Sequence, residues 1–337
     1  MQKHFFLSII FSCSSFYFAD AQSNYKVLNQ IKLQGDGGWD YLAVDDINQH
    51  IFVSHGNQVN VVDATTQKEI AIIPETKGVH GIAIANNLNK GYISNGKDSS
   101  VTIFDLKTFT ITNKIYVTGK NPDAILFDGF SQRLFTFNGK GKNATVIDVI
   151  TEKVIGTIDL SGKPEFAVSN NVGKIYVNIE NTNEIVVIDA QLMTIDKRFS
   201  IEPGDEPSGL AIDEANNRLF SVCGNKKLII INANTGKLIS WLPIGDGADA
   251  VIFDDVTKNI IVSNGEGTIT VAHEEDINTF KIMATIPTEV GAKTLAFNKA
   301  NHHIYLPKAT IDTSEGADKK HRKIVPNSFL LLEMATE

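Results

Sequence analysis

The sequence predicts an all-β fold, a seven-bladed β-propeller of four-stranded antiparallel blades. The first observation behind this is a repeat. Asp40, His80, Asp123, Glu165, Ser208, Asp249 and Thr294 open successive units at spacings of 40, 43, 42, 43, 41 and 45 residues, the period of a propeller blade. The second is the content of a unit. Gly81-Ile82-Ala83-Ile84, Gly91-Tyr92-Ile93-Ser94-Asn95-Gly96, Val101-Thr102-Ile103-Phe104-Asp105 and Ile111-Thr112-Asn113-Lys114-Ile115 are four runs of strand length rich in β-branched residues, separated by polar turns. The third is a match between the two ends. The seventh unit supplies Lys293 to Asn298, His303 to Leu306 and Phe329 to Glu333 and then stops, while Tyr25 to Leu33 is a strand without a blade. Pairing that N-terminal strand as the missing outer strand closes the ring and removes an exposed edge.

The first 21 residues read as a secretory leader. Lys3 and His4 precede a mostly apolar stretch from Phe5 to Phe18, and Ala19-Asp20-Ala21 forms a cleavage site before Gln22. A lipoprotein would be acylated at Cys13, which Phe11 in the small-residue slot before it disfavours. The expectation is a periplasmic or secreted protein whose residues 22–337 form one domain, with Cys223 as its only thiol and no internal disulfide. No segment approaches the ~18 consecutive apolar residues of a membrane span, and a monomer is expected.

Within the blades, several recurrent residues belong to the scaffold. Asp63, Asp105, Asp148 and Asp189 each end a third strand before a tight turn, where a carboxylate accepts backbone N–H groups. Asn86-Asn87, Asn170-Asn171 and Asn216-Asn217 supply left-handed turn positions between first and second strands. His302 and His303 fall in the equivalent turn of the seventh unit, away from the mouth of the ring.

Functional side chains of propellers gather on one face, where the connections between blades meet those between second and third strands. By register this mouth holds Trp39, Asp40, His80, Asp123, Glu165, Ser208, Asp249 and Lys293 at the blade entrances. His55, Asn95, Asn138, Asn178, Glu180, Cys223, Asn264 and Glu266 stand at the second-strand exits. The expected ligand-binding residues are Trp39, Asp40, His55, His80, Asn95, Asp123, Asn138, Glu165, Asp249 and Asn264. Four carboxylates at the entrances repel one another, and a cation would relieve that repulsion. His55, His80, Asp40 and Asp123 have the donor types that hold a divalent metal ion such as Zn, the one cofactor the sequence suggests. His80 is equally suited to acid–base chemistry.

Tyr92-Ile93-Ser94-Asn95 and Ile261-Val262-Ser263-Asn264, each followed by Gly, resemble the YVTN repeat of YncE-like propellers. The resemblance covers residues 22–337. It implies an exported seven-bladed propeller, in a family some of whose members bind DNA and whose wider relatives include the haem d1 domain of nitrite reductase and lactonase-like enzymes.

A net charge of -8 argues against nucleic acid or an anionic membrane as partner. Signatures of hydrolases, haem attachment and dinucleotide binding (H-x-x-E-H, G-x-S-x-G, C-x-x-C-H, G-x-G-x-x-G) are missing. One departure from the repeat remains. Residues Lys308 to Asn327 are inserted between the second and third strands of the last unit, with Ser314-Glu315-Gly316-Ala317-Asp318 and the basic run Lys319-Lys320-His321-Arg322-Lys323. Loops of this length are functional or flexible, and this one is expected on the acidic face, as a lid. The sequence therefore points to a binding protein that holds a small molecule, a metal ion or a protein partner at the funnel. The alternatives are a metal-assisted, lactonase-like hydrolase and, last, a DNA-binding propeller.

Overall fold

A computed structural model describes residues 25–311 and 324–336. The leader expected at 1–21, with Cys13, lies outside them, as does most of the 308–327 insertion, including Ser314 to Asp318 and the basic run.

Seven four-stranded antiparallel sheets form the ring. Blade 1 is Trp39–Asp45, His50–His55, Gln58–Asp63 and Lys68–Ile73, from the innermost strand outward, and blades 2 to 6 repeat this order from Val79, Pro122, Pro164, Pro207 and Ala248. Blade 7 takes Ala296–Asn298, His303–Lys308 and Leu330–Thr336 from the end of the chain and Tyr25–Lys32 from its beginning. The closing strands pair antiparallel from Tyr25↔Thr336 to Lys32↔Leu330, as the match between the ends requires. The only helical turns among the described residues are single 3-10 turns at Asn86–Leu88 and Glu180–Thr182. No helix there is long and apolar enough to cross a membrane.

Each strand alternates its apolar residues to both faces, so a blade alone would leave two apolar surfaces in water. The core answers this directly: seven apolar clusters lie at the seven seams between blades. Phe52, Val61 and Ile93 with Phe104 fill the seam of blades 1 and 2. Phe135, Phe137 and Val146 with Ile175, Val177 and Val186 fill that of blades 3 and 4. Leu33, Ile51, Tyr305 and Phe329 fill the closing seam.

The turns bear out most of the scaffold reading. Asp148 Oδ1 accepts the N–H groups of Ile150 and Thr151, and Asp63 Oδ1 those of Thr65 and Thr66. Those hydrogen bonds hold the carboxyls of Asp63, Asp105, Asp148 and Asp189 below the ordinary value of 3.8. Asn171 and Asn217 adopt φ of 54° and 55° as expected. In blade 2 the left-handed residue is instead Asn89, at φ 53°, because Asn86 and Asn87 are taken into the 3-10 turn.

Candidate functional site

Six of the seven first strands begin with a register shift after their opening residue, between Trp39/Leu42, Val79/Ile82, Pro122/Ile125, Pro164/Ala167, Pro207/Leu210 and Ala248/Ala250. Such a bulge frees the next side chain from the ladder and re-aims it. The residues so placed are Asp40, His80, Asp123, Glu165, Ser208 and Asp249, with Thr294 before the seventh strand. Four of their carbonyls are held by side chains of the preceding blade. Ser94 Oγ donates to Asp123 O, Asn178 Nδ2 to Ser208 O, Ser208 Oγ to Asp249 O and Thr294 Oγ1 to Asp40 O. Glycine follows the ring residue in blades 2 and 5 because the neighbouring backbone comes close. A Cβ on Gly81 would lie 2.9 Å from Asp123 O, and one on Gly209 2.7 Å from Asp249 O.

The ring opens into a cavity of about 370 Å³ lined by six carboxylates, Asp40, Asp123, Glu165, Glu180, Glu206 and Asp249, against two ammonium groups, Lys163 and Lys293. Its charges are distributed unevenly. Across blades 1 to 3, His80 Nδ1 stands 2.6 Å from Asp40 Oδ2 and 3.7 Å from Asp123 Oδ1. The three residues can bring one ligand atom each within 4.8 Å of the others. Donors on one tetrahedral Zn lie about 3.4 Å apart, given bonds of about 2.0–2.2 Å, so the trio can hold such an ion after small side-chain adjustments. Across blades 4 to 7, Lys163 Nζ bridges Glu165 at 2.7 Å and Glu180 at 2.5 Å, and Lys293 Nζ lies 2.8 Å from Asp249 Oδ2.

The low-dielectric wall shifts these groups in understandable directions. Burial, reinforced by Asp40 and opposed by His80, raises Asp123 to about 6. Burial raises Glu165 to about 7, although Lys163 opposes it. For His80, burial alone pushes the imidazole down, but the Asp40 hydrogen bond and the charges of Asp123, Asp40 and Glu165 outweigh it and hold the pKa above 6.5. Burial likewise disfavours the Lys163 and Lys293 ammonium groups, and their carboxylate partners reverse this and hold both pKa values above 10.5.

The structure divides the residues expected at the mouth. Asp40, Asp123, Glu165 and Asp249 line the cavity, and His80 joins them at its edge through Asp40 and Asp123. Asn95, Asn138 and Asn264 do not line the cavity and are fully buried. Each turns its amide back onto its own hairpin: Asn95 Nδ2 donates to Ser100 and Thr102, Asn138 Nδ2 to Asn143 and Thr145, and Asn264 Nδ2 to Thr268 and Thr270.

His55 holds the equivalent position in blade 1 and stays apart from the Asp40–His80–Asp123 trio. It is 1% exposed and stacks on Phe329 at 3.9 Å. Its ring nitrogens lie near Asn60 and the Gln34 and Gly37 backbone without a well-formed hydrogen bond, and burial holds its pKa down. Its expected place among the metal ligands is therefore corrected: the second-strand exit is roofed by the chain that links the blades. Trp39 also turns away from the funnel, packing 5.5 Å from Phe329 in the closing seam. His302 and His303 pair with Asp254 at 2.9 Å and Glu333 at 2.7 Å.

Tyr41 and Lys163 went unnoticed in the sequence. Tyr41 lines the cavity beside Asp40. Its phenol is raised well above 10.0, first by burial and then by the charges of Asp123, Asp40, Glu165 and Asp249. A signal was present. At the position after the ring residue the other blades carry Gly81, Ala124, Gly209, Ala250 and Leu295, and only Tyr41 and Phe166 are aromatic.

The profile of a family described as "Domain of unknown function (DUF5074)" matches residues 40–205. No curated protein matches the chain. Among solved structures the chain is similar to one from Kuenenia stuttgartiensis hydrazine synthase, with a TM-score of 0.72 and 16% identity over 90% of this chain and 98% of that one. It is similar to a chain of the mitotic checkpoint complex, with a TM-score of 0.76 and 13% identity over 100% and 99%. It is also similar to the RRP9 WD40 repeats, with a TM-score of 0.75 and 10% identity over 92% and 97%. At these identities the likeness establishes the propeller fold and nothing of the chemistry.

Proposed function

We propose that this protein is an exported binding propeller that takes a divalent metal ion at Asp40, His80 and Asp123 in its central funnel. The observation that carries the reading is the convergence of one imidazole and two carboxylates, from three consecutive blades, within 4.8 Å. Six carboxylates against two lysines give the surrounding cavity the charge that favours a cation. Export rests on the leader-like residues 1–21 and the YVTN-like repeats, and the same charge balance speaks against DNA as the ligand.

Isothermal titration with Zn²⁺ and Mn²⁺ after chelation, with metal analysis, tests the site. One ion per chain is expected, with His80→Ala and Asp123→Asn each weakening affinity at least tenfold, the lower end of the effects seen at metal centres. Absence of stoichiometric binding, or binding indifferent to both substitutions, overturns the reading. Sequencing the mature N-terminus tests export, with Gln22 as the expected first residue.

A second reading, metal-assisted hydrolysis, is favoured by Glu165, which burial raises to about 7, the range of a general base at neutral pH. A bound ion would supply Lewis acidity. Lactone hydrolysis that Glu165→Gln abolishes while metal content is retained would establish it; no turnover of lactones or esters leaves the binding role.

A further inference from the structure

The turns on the face away from the funnel line a second, open cavity of about 400 Å³ where blades 5 and 6 meet. Its lining is opposite in character: Arg218, Lys237, Asn232, Asn278 and Thr235, with Leu238 and Ile239 as an apolar wall and no carboxylate. Arg218 is the fixed element. It is 6% exposed, and its Nε donates to Ile277 O at 2.9 Å while Nη1 donates to Asn216 O at 2.7 Å and Asn217 O at 3.2 Å. Nη2 donates to no group among the described residues.

The neighbouring acceptors are already engaged. Asn232 Oδ1 accepts from the N–H groups of Asn234 and Thr235 and from the Thr235 hydroxyl, and its amide nitrogen donates to no group among the described residues. The Asn278 side chain and the Lys237 ammonium likewise have no partner among the described residues. The carboxylates nearest to Arg218, Asp213 and Glu274, share Asn216 Nδ2 as a donor and do not line the cavity.

A pocket with a pre-set guanidinium edge, two amide NH₂ groups and a lysine, with no carboxylate and with the Asn232 oxygen already engaged, matches an oxyanion. We propose that this cavity is a second binding site, for the phosphate, sulfate or carboxylate end of a small molecule whose apolar part lies on Leu238 and Ile239. It uses no residue of the funnel and stands whether or not the funnel binds metal.

Calorimetric titration of the full chain with phenyl phosphate, inorganic phosphate and benzoate tests it. Phenyl phosphate is expected to bind saturably at or below about 1 mM, a weak-ligand affinity, and about fivefold or more tighter than inorganic phosphate because of its ring. The benzoate titration decides whether the favoured head group is phosphate or carboxylate. Lys237→Glu is expected to weaken phenyl phosphate at least tenfold and Asn278→Ala about threefold to tenfold, with melting temperatures unchanged because both side chains are exposed. Asp123→Asn in the funnel is expected to leave this binding intact. No saturable binding by any probe, or binding that Lys237→Glu leaves as in the wild type, overturns the proposal.

Discussion

Tyr41 on blade 1 and Phe166 on blade 4 lie 5.5 Å apart between ring centroids. Those blades are not neighbours, so the two side chains meet across the central channel and floor the funnel. Tyr41 also packs against the apolar cluster of blades 3 and 4, which turns a catalogue of seam contacts into one core connected through the axis. Tyr41→Ala is expected to lower unfolding free energy by about 2–4 kcal/mol, in the range for loss of a large packed side chain. Tyr41→Phe should stay within about 1 kcal/mol. Urea denaturation of the two variants checks this, and equal losses would show that the hydroxyl, rather than the ring, is what matters.

The funnel should make the metal-free protein less stable as the pH rises toward neutrality. Glu165 has a folded pKa near 7 against an ordinary 4.5, so the native state retains a proton that the unfolded chain has released. Its contribution is complete below about 4.5 and is lost as pH climbs to 7. His80, held above 6.5, adds stability below that value and loses it as pH passes the folded one. Denaturation in the presence of a chelator is expected to show wild-type stability falling more steeply between pH 4.5 and 7.5 than that of Glu165→Gln, by about 1–3 kcal/mol over the interval. Parallel profiles would contradict the assignment.

Ring closure has its own polar clamp. Glu333 is 1% exposed and accepts from Asn29 at 2.7 Å and Gln67 at 3.0 Å, with His303 at 2.7 Å and the Tyr305 hydroxyl at 3.1 Å. It therefore links the N-terminal strand, blade 1 and blade 7. Glu333→Ala is expected to cost about 3–5 kcal/mol, because it strands buried donors. Removing the exposed Lys281–Glu275 pair should cost under about 1 kcal/mol. Thermal melts of the two variants give the comparison.

Asn138→Ala separates scaffold from site. It removes three side-chain hydrogen bonds within one hairpin and is expected to destabilise by about 1–3 kcal/mol while leaving funnel affinity for metal unchanged. A loss of affinity without a loss of stability would return Asn138 to the site.

Cys223 should be inert in the native protein. Burial pushes its thiol up to about 12, which leaves almost no thiolate at neutral pH. Iodoacetamide at pH 8 is expected to modify it only after denaturation, as mass spectrometry would show.

These cases mark where the sequence was readable. The repeat put Asp40, His80, Asp123, Glu165 and Asp249 in one ring because a period near 42 residues carries the register from blade to blade. At the second-strand exits it found Glu180, which lines the cavity, but failed at His55, Asn95, Asn138 and Asn264, polar residues that looked available to a ligand. The equivalent residues of blades 4 and 5 are Ile179 and Cys223, both fully buried. Apolar residues at the same register betray a covered position, and the asparagines are tolerated there because their hairpins accept from each amide NH₂, although the oxygens of Asn95 and Asn264 stay without a partner. Tyr41 and Lys163 escaped for another reason: neither recurs, and contacts across a channel or between linkers leave no periodic trace.

The pairing of Tyr25 with Thr336 brings the two ends of the ring to opposite sides of one rung of the ladder. A short added turn could therefore join them into a hairpin like those of the other blades, and new termini cut between any two blades would leave every seam intact. The protein is in this sense a circle that happens to be opened inside blade 7, which makes circular permutation a direct way to ask which seam must form first.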